Sequence, residues 1–244
     1  MKARTFLGAA ALALILAGCG GAESNVAGAV SNAPLPQIAA PNGGDWTQTV
    51  TRTDEGGFLL GNPDAPVKLV EYGSYTCHVC AEFSERATAP LRDTYVRSGQ
   101  VSWEYRPFQR NGLDLAMTLL VQCQPPTAAF ATSEQIFAQQ EEIGGAIDEQ
   151  EGARINALPP DQQLEPLARA ADLETFFARR GIPAQRFSQC LGNRAEIQRL
   201  TELTNRAGTE VPVTGTPTFV INGTRQEVSA WPALEPLLRA AIGG

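Results

Sequence analysis

"SYTCHVC", Ser74 to Cys80, places the only histidine of this 244-residue chain between two of its five cysteines. Thiols three residues apart can form a redox disulfide, supply two ligands to a zinc site, or close a structural bond. The flanks narrow the choice. Upstream, Asn62-Pro63-Asp64-Ala65-Pro66 is a turn signal, and Val67-Lys68-Leu69-Val70-Glu71-Tyr72 reads as a strand that Gly73 and Ser74 break. Downstream, Phe83, Ala87 and Leu91 recur at helical spacing, with Pro90 placed to kink the helix and Ser98-Gly99-Gln100 to end it. Val101-Ser102-Trp103-Glu104-Tyr105 then alternates as a second strand. Strand, helix and strand in this order predict a βαβ unit with its cysteines at the carboxyl end of the first strand.

On the first turn of a helix, sulfurs at i and i+3 lie close enough to bond, the first exposed and the second covered. The helix N-terminal amides favour the thiolate of Cys77. His78 adds a donor beside the same sulfur, and a full charge when protonated. A stabilised thiolate is a stabilised reduced form, hence an oxidising disulfide. Structural zinc takes four ligands, and the chain has no second CxxC and no second histidine. Cys123 or Cys190, both on apolar helical stretches, would have to complete such a site. A structural bond closing so short a loop constrains the unfolded chain very little. Redox chemistry is the leading expectation.

The middle of the chain reads as helical. Leu113 to Cys123 is almost wholly apolar, as in a helix buried on several sides. Helices follow from Ala128 to Ile143, around Leu164 to Ala171, from Pro183 with Phe187, Cys190 and Leu191 on one face, and from Ile197 to Ala207. Strand character returns at Thr218-Phe219-Val220-Ile221, and Asn222-Gly223 turns it into a second strand, Arg225 to Val228. A last helix begins near Pro232. Just before the returning strand, Val213-Thr214-Gly215-Thr216-Pro217-Thr218-Phe219 puts a proline where no ladder donor is needed.

A strand leading into CxxC at a helix start, then Gly-Thr-Pro-Thr-Phe and a hairpin, resembles the thioredoxin superfamily. The long helical stretch between the halves resembles its DsbA-like thiol–disulfide oxidoreductases, over residues 45–244. The resemblance implies an α/β thioredoxin-like fold whose βαβ and ββα halves are separated by a helical insertion at approximately 111–208. It implies that Pro217 is cis and faces the active disulfide, with Thr216 offering backbone groups to a substrate strand. It implies that Glu71, six residues before Cys77, lies half-buried beside Cys80 and takes its proton; the alternative is a solvated charge at a sheet edge. It implies a second, structural disulfide between Cys123 and Cys190, against the alternative of two separate buried thiols. No metal and no bound cofactor are implied. The partners are reduced, unfolded exported proteins and a redox partner that resets the disulfide. One departure stands out. DsbA-like proteins usually carry Pro-His between the cysteines, whereas this chain carries His78-Val79, so oxidase, isomerase and reductase remain open.

The amino terminus points to export. Lys2 and Arg4 precede an apolar run from Phe6 to Leu16, too short to span a bilayer. Leu16-Ala17-Gly18-Cys19 resembles a lipoprotein lipobox, which implies a signal peptide at 1–18 and a lipid anchor on Cys19; ordinary secretory cleavage is the alternative. Gly20 after that cysteine tilts the expectation towards the outer membrane, on the periplasmic side. Export suits disulfide chemistry. Residues 19–44, rich in Gly, Ala, Asn, Ser and Pro, are expected to form a flexible tether. Without Lys2 and Arg4, 17 basic side chains face 26 acidic ones. This excess of acid argues against nucleic acid and against anionic lipid as partners. A different class stays open: a thioredoxin-fold lipoprotein that captures peptides, or Cu(I) through soft thiolates, without turnover.

Overall fold

The sheet is built around the βαβ unit. In the computed structural model, which describes residues 33–243, β1 (Val50–Arg52), β2 (Phe58–Leu60), β3 (Val67–Gly73), β4 (Val101–Pro107), β5 (Thr218–Ile221) and β6 (Thr224–Gln226) form one sheet. Their order is β1-β2-β4-β3-β5-β6. β3 and β4 are parallel, in register from Val67↔Val101 to Gly73↔Pro107. Parallel neighbours need a crossover, and α1 (His78–Pro90) supplies it. Every other pairing is antiparallel. The cysteines therefore leave the carboxyl end of a central strand. Cys19 and the expected signal peptide lie outside the described residues.

Two apolar cores meet at this sheet. Val67, Leu69, Val101, Trp103, Phe219 and Ile221 pack against Phe83, Ala87 and Leu91, and against Trp231, Leu234 and Leu238 of the last helix, α10 (Trp231–Gly243). The second core belongs to the insertion: α2 (Gly112–Gln122), α3 (Ala129–Ala138), α4 (Gln140–Gly145), α5 (Glu149–Asn156), α6 (Leu164–Ala170), α7 (Leu173–Ala178), α8 (Ala184–Leu191) and α9 (Arg194–Glu210). Its centre is Met117, Leu120, Ile136, Phe177 and Phe187, all buried. Burying each such side chain is worth about 1.5–3 kcal/mol. Tyr75, Cys77 and Cys80 pack with this second core rather than with the first. The insertion is thus one wall of the cysteine site. No helix among the described residues is long and apolar enough to cross a membrane.

Several expectations need correction. The hairpin β1–β2 is absent from the sequence reading, because strands of three residues carry no usable periodicity. Of the expected tether, residues 33–44 are described, and they belong to the same compact unit as the domain. Leu35 and Ala40 pack on the first core. The Ile38 N–H donates to Ser98 O at 2.8 Å, and the Trp46 indole donates to Ile38 O at 2.8 Å. Gly99, at φ +75°, permits this crossing; a Cβ there would lie 2.6 Å from Ile38 O and 2.7 Å from the indole nitrogen. The single helix expected from Ala128 to Ile143 breaks at Gln139, whose φ/ψ of −112°/17° leave the helical well. At Pro90, where a kink is expected, the α-helical hydrogen bonding gives way without ending the segment. The chain continues as a π-helical turn, Leu91–Val96, which accommodates the donor that proline lacks. The second hairpin strand spans Thr224–Gln226 rather than Arg225 to Val228.

Candidate active site

Cys77 is set by a turn and a helix start. Its N–H donates to Ser74 O at 3.1 Å, and it caps α1 in an extended conformation, so the next amides point at its own side chain. Both active-site cysteines are free thiols, 5% and 0% exposed. In its protonated form the Cys77 thiol donates to the Thr216 carbonyl oxygen at 3.1 Å. A hydrogen bond from the Cys80 thiol is the largest influence on Cys77; with the Thr216 hydroxyl and the N–H groups of Cys80 and Val79 it outweighs burial and pulls its pKa down to about 4. Cys80 goes the other way. Burial pushes its thiol far up, the hydrogen bond it gives Cys77 and the Glu71 charge add to this, and the Ser74 backbone opposes it. One sulfur is a poised anion and its neighbour a held proton.

Glu71 stands on β3 below this pair. It is 2% exposed, so the half-buried carboxyl and the solvated sheet-edge charge are both set aside. Its burial follows from the pleat, which turns Leu69, Glu71 and Gly73 towards the helix-covered face. The Trp103 indole donates to Oε2 at 3.0 Å. Burial nevertheless raises its pKa to about 8, against that hydrogen bond. Gly73, next on this face, leaves room for Tyr105; a Cβ there would lie 3.0 Å from the Tyr105 hydroxyl oxygen.

The Thr216–Pro217 peptide is cis, and the exposed Thr214 and Gly215 precede it. The Thr216 hydroxyl is buried and makes no hydrogen bond among the described residues. Cys123, at the end of α2, is bonded to Cys190 on α8, so neither sulfur is open to a zinc site. No group of three or more His, Cys, Asp and Glu side chains among the described residues is arranged to hold a metal ion. His78 is exposed. It lines an open groove of about 680 Å³ with Glu82 and Glu85 of α1 and Glu134, Glu141 and Glu142 from α3 and α4.

Sequence reasoning missed the groups that hold the cysteine turn. Asp114 of α2 accepts from the hydroxyls of Ser74 (2.9 Å) and Thr76 (3.0 Å) and from the Thr76 N–H (2.9 Å). Gln140 donates to Tyr75 O at 2.8 Å and to Cys77 O at 3.0 Å. The Tyr75 and Ser133 hydroxyls share a 2.7 Å hydrogen bond. A signal existed for Asp114: it is the one charged residue in the apolar run from Leu113 to Cys123.

Known proteins agree with this architecture. A protein from Rickettsia prowazekii that carries the provisional name protein-disulfide oxidoreductase is 26% identical over 181 residues, or 74% of this chain. The match spans 60% of that relative's length. The crystal structure of a protein-disulfide isomerase from Novosphingobium aromaticivorans is 29% identical and superposes with a TM-score of 0.74, covering 78% of this chain and 98% of that one. Wolbachia pipientis alpha-DsbA1 shares the fold at 17% identity, with a TM-score of 0.60 over 76% of this chain and 90% of that one. The thioredoxin family model matches residues 53–239. With that match lying over β2 to β6, the CxxC helix and the insertion together, the chain belongs to the thioredoxin family, in the DsbA-like form of its fold.

Proposed function

We propose that this chain is a thiol–disulfide oxidoreductase of the bacterial envelope, exchanging the Cys77–Cys80 disulfide with cysteines of exported proteins as an oxidase. The observation that carries the reading is the opposition of the two sulfurs: Cys77 held as thiolate near pKa 4, Cys80 sealed and protonated behind it. A substrate thiolate attacks Cys77 Sγ; the S–S bond breaks, and the pair of electrons leaves on Cys80. Glu71, protonated at neutral pH by its pKa of about 8, supplies the proton that Cys80 takes up. A second substrate thiolate attacks the substrate sulfur of the mixed disulfide, and Cys77 departs as a stable thiolate. The substrate has lost two electrons and the chain holds two. A redox partner that accepts them resets the disulfide. The low pKa of Cys77 makes it the better leaving group and the disulfide the stronger oxidant.

The test is the reduction potential of the Cys77–Cys80 pair, with oxidation of a reduced, unfolded ribonuclease as the activity. A value nearer ~−120 mV than ~−270 mV, the span from strong oxidant to thioredoxin, is expected. A value at the thioredoxin end sinks the oxidase assignment. Isomerisation is the second reading, favoured by the name of the Novosphingobium relative; recovery of activity from scrambled ribonuclease at rates above its oxidation rate would select it. Export and anchoring rest on the amino-terminal sequence from Phe6 to Cys19. Mass spectrometry of the membrane-extracted protein is expected to find acyl chains on Cys19.

A further inference from the structure

We infer that Asp114 is a positioning residue for the Cys77–Cys80 pair, acting through Ser74 and Thr76. This rests on the proposed thiol–disulfide chemistry. Asp114 is 1% exposed, and its carboxylate receives four neutral donors: the hydroxyls of Ser74 and Thr76 and the N–H groups of Thr76 and Arg110. Helix capping does not account for it. Asn111 already caps α2, its Oδ1 taking the Asp114 N–H at 2.9 Å. Three of the four donors come instead from the turn that delivers Cys77. Burying a carboxylate is costly unless hydrogen bonds compensate it. Burial raises the Asp114 pKa while its four donors oppose the rise.

The clamped turn holds the Cys77 backbone and faces the Cys80 sulfur. Ser74 O fixes the Cys77 N–H at 3.1 Å. The Ser74 backbone also faces the Cys80 sulfur and favours its thiolate. Thr76 directly precedes Cys77, and Asn111 Nδ2 donates to its hydroxyl at 3.0 Å, so two residues of α2 grip one side chain. Gln140 and Ser133 hold the other side of the same turn from α4 and α3. Without Asp114, the turn keeps one anchored side, and the amides of Val79 and Cys80 lose their fixed aim at the Cys77 sulfur. The titratable groups around this turn are His78, Cys80, Tyr75, Glu71 and Tyr105.

The experiment measures, in the full-length protein, the equilibrium with glutathione and the pH midpoint of thiolate ultraviolet absorbance. For Asp114→Ala the equilibrium is expected to move at least tenfold towards the disulfide, about 30 mV. The Cys77 midpoint is expected to rise by about one pH unit or more. Asp114→Asn, which presents a donor to one of two backbone N–H groups, is expected to fall between. Ser74→Ala, which leaves Asp114 its other three donors, is expected to shift both readouts in the same direction by at least threefold. If Asp114→Ala does not fold, Ser74→Ala decides. A folded variant of either kind that melts earlier but keeps both readouts within twofold of the wild type overturns the inference, since Asp114 is then merely structural. Both readouts concern the cysteine pair alone. A wild-type protein lacking oxidase activity would therefore sink the functional reading and leave this one standing.

Discussion

The molecule holds two cysteine pairs that share a chemistry and differ in everything that surrounds them. Cys77 and Cys80 are three residues apart, unbonded, and unequal: burial and hydrogen bonding drive one pKa down and the other up. Cys123 and Cys190 are 67 residues apart, bonded, and join two helices of the insertion. The first pair constrains almost nothing in the unfolded chain; the second closes a long loop. What distinguishes a working disulfide from a structural one is therefore not the bond but its setting. At Cys77 that setting is a helix start, a buried partner thiol and the Thr216 hydroxyl. At Cys123–Cys190 it is the packing of α2 against α8.

The sharpest way to break this contrast is to remove one sulfur from each pair. Cys77→Ala is expected to abolish disulfide exchange with reduced ribonuclease, at least about 10³-fold, while leaving the melting temperature close to wild type. Cys123→Ala with Cys190→Ala is expected to do the reverse. Loop-closure entropy for a segment of this length is worth about 4 kcal/mol, at the top of the usual ~2–4 kcal/mol range. Urea unfolding should read that loss, with the potential of Cys77–Cys80 unmoved. A double variant that unfolds normally but shifts the potential would mean that the pairs communicate through α2.

The same contrast explains what the residues could disclose in advance. CxxC after a broken strand is a local pattern, and so is a proline at the start of a returning strand; Cys77, Cys80 and Pro217 were legible for that reason. The order βαβ, helices, ββα followed from periodicity and turn signals. The Cys123–Cys190 bond depends on how α2 meets α8, which no local pattern encodes, and only the family resemblance pointed to it. Asp114 and Gln140 act through hydrogen bonds to a turn about 40 and 63 residues earlier in the chain. His78 sits beside the cysteines in sequence, and its side chain lines the groove bordered by α1, α3 and α4. Glu71 was placed correctly in the chain and too near the surface, because strand alternation names a face without saying how deeply that face is covered.

Glu71→Gln sharpens the comparison by asking what the working pair costs the fold. The folded-state pKa of about 8 lies above the ordinary value of 4.5. Between those two values the folded chain holds a proton that the unfolded chain has released. Stability therefore falls as pH rises from about 4.5 to about 8 and levels off above. Glutamine carries no such proton. The variant is expected to be the more stable protein at pH 7, by on the order of 2–4 kcal/mol, with a flatter pH profile and slower exchange. Urea midpoints measured from pH 4 to pH 9 test both the sign and the window. A parallel decline in both proteins would show that Glu71 is not the group responsible.

The smallest expected effect concerns the Thr216 hydroxyl. It is buried, makes no hydrogen bond among the described residues, and lies where it favours the Cys77 thiolate. Thr216→Val keeps the shape and removes the donor. Because the Cys80 thiol and two backbone amides remain, the thiolate loses one of several supports. The Cys77 midpoint is expected to rise by about half a unit to one unit, which is about 0.7–1.4 kcal/mol, and the disulfide should become a weaker oxidant in step. The ultraviolet thiolate titration reads the first quantity and the glutathione equilibrium the second. Their agreement is the informative part. A midpoint that moves without the potential would mean that losing the hydroxyl destabilises the disulfide as much as the thiolate. Neither moving would leave Cys80 and the helix amides as the whole of what makes this pair unlike Cys123–Cys190.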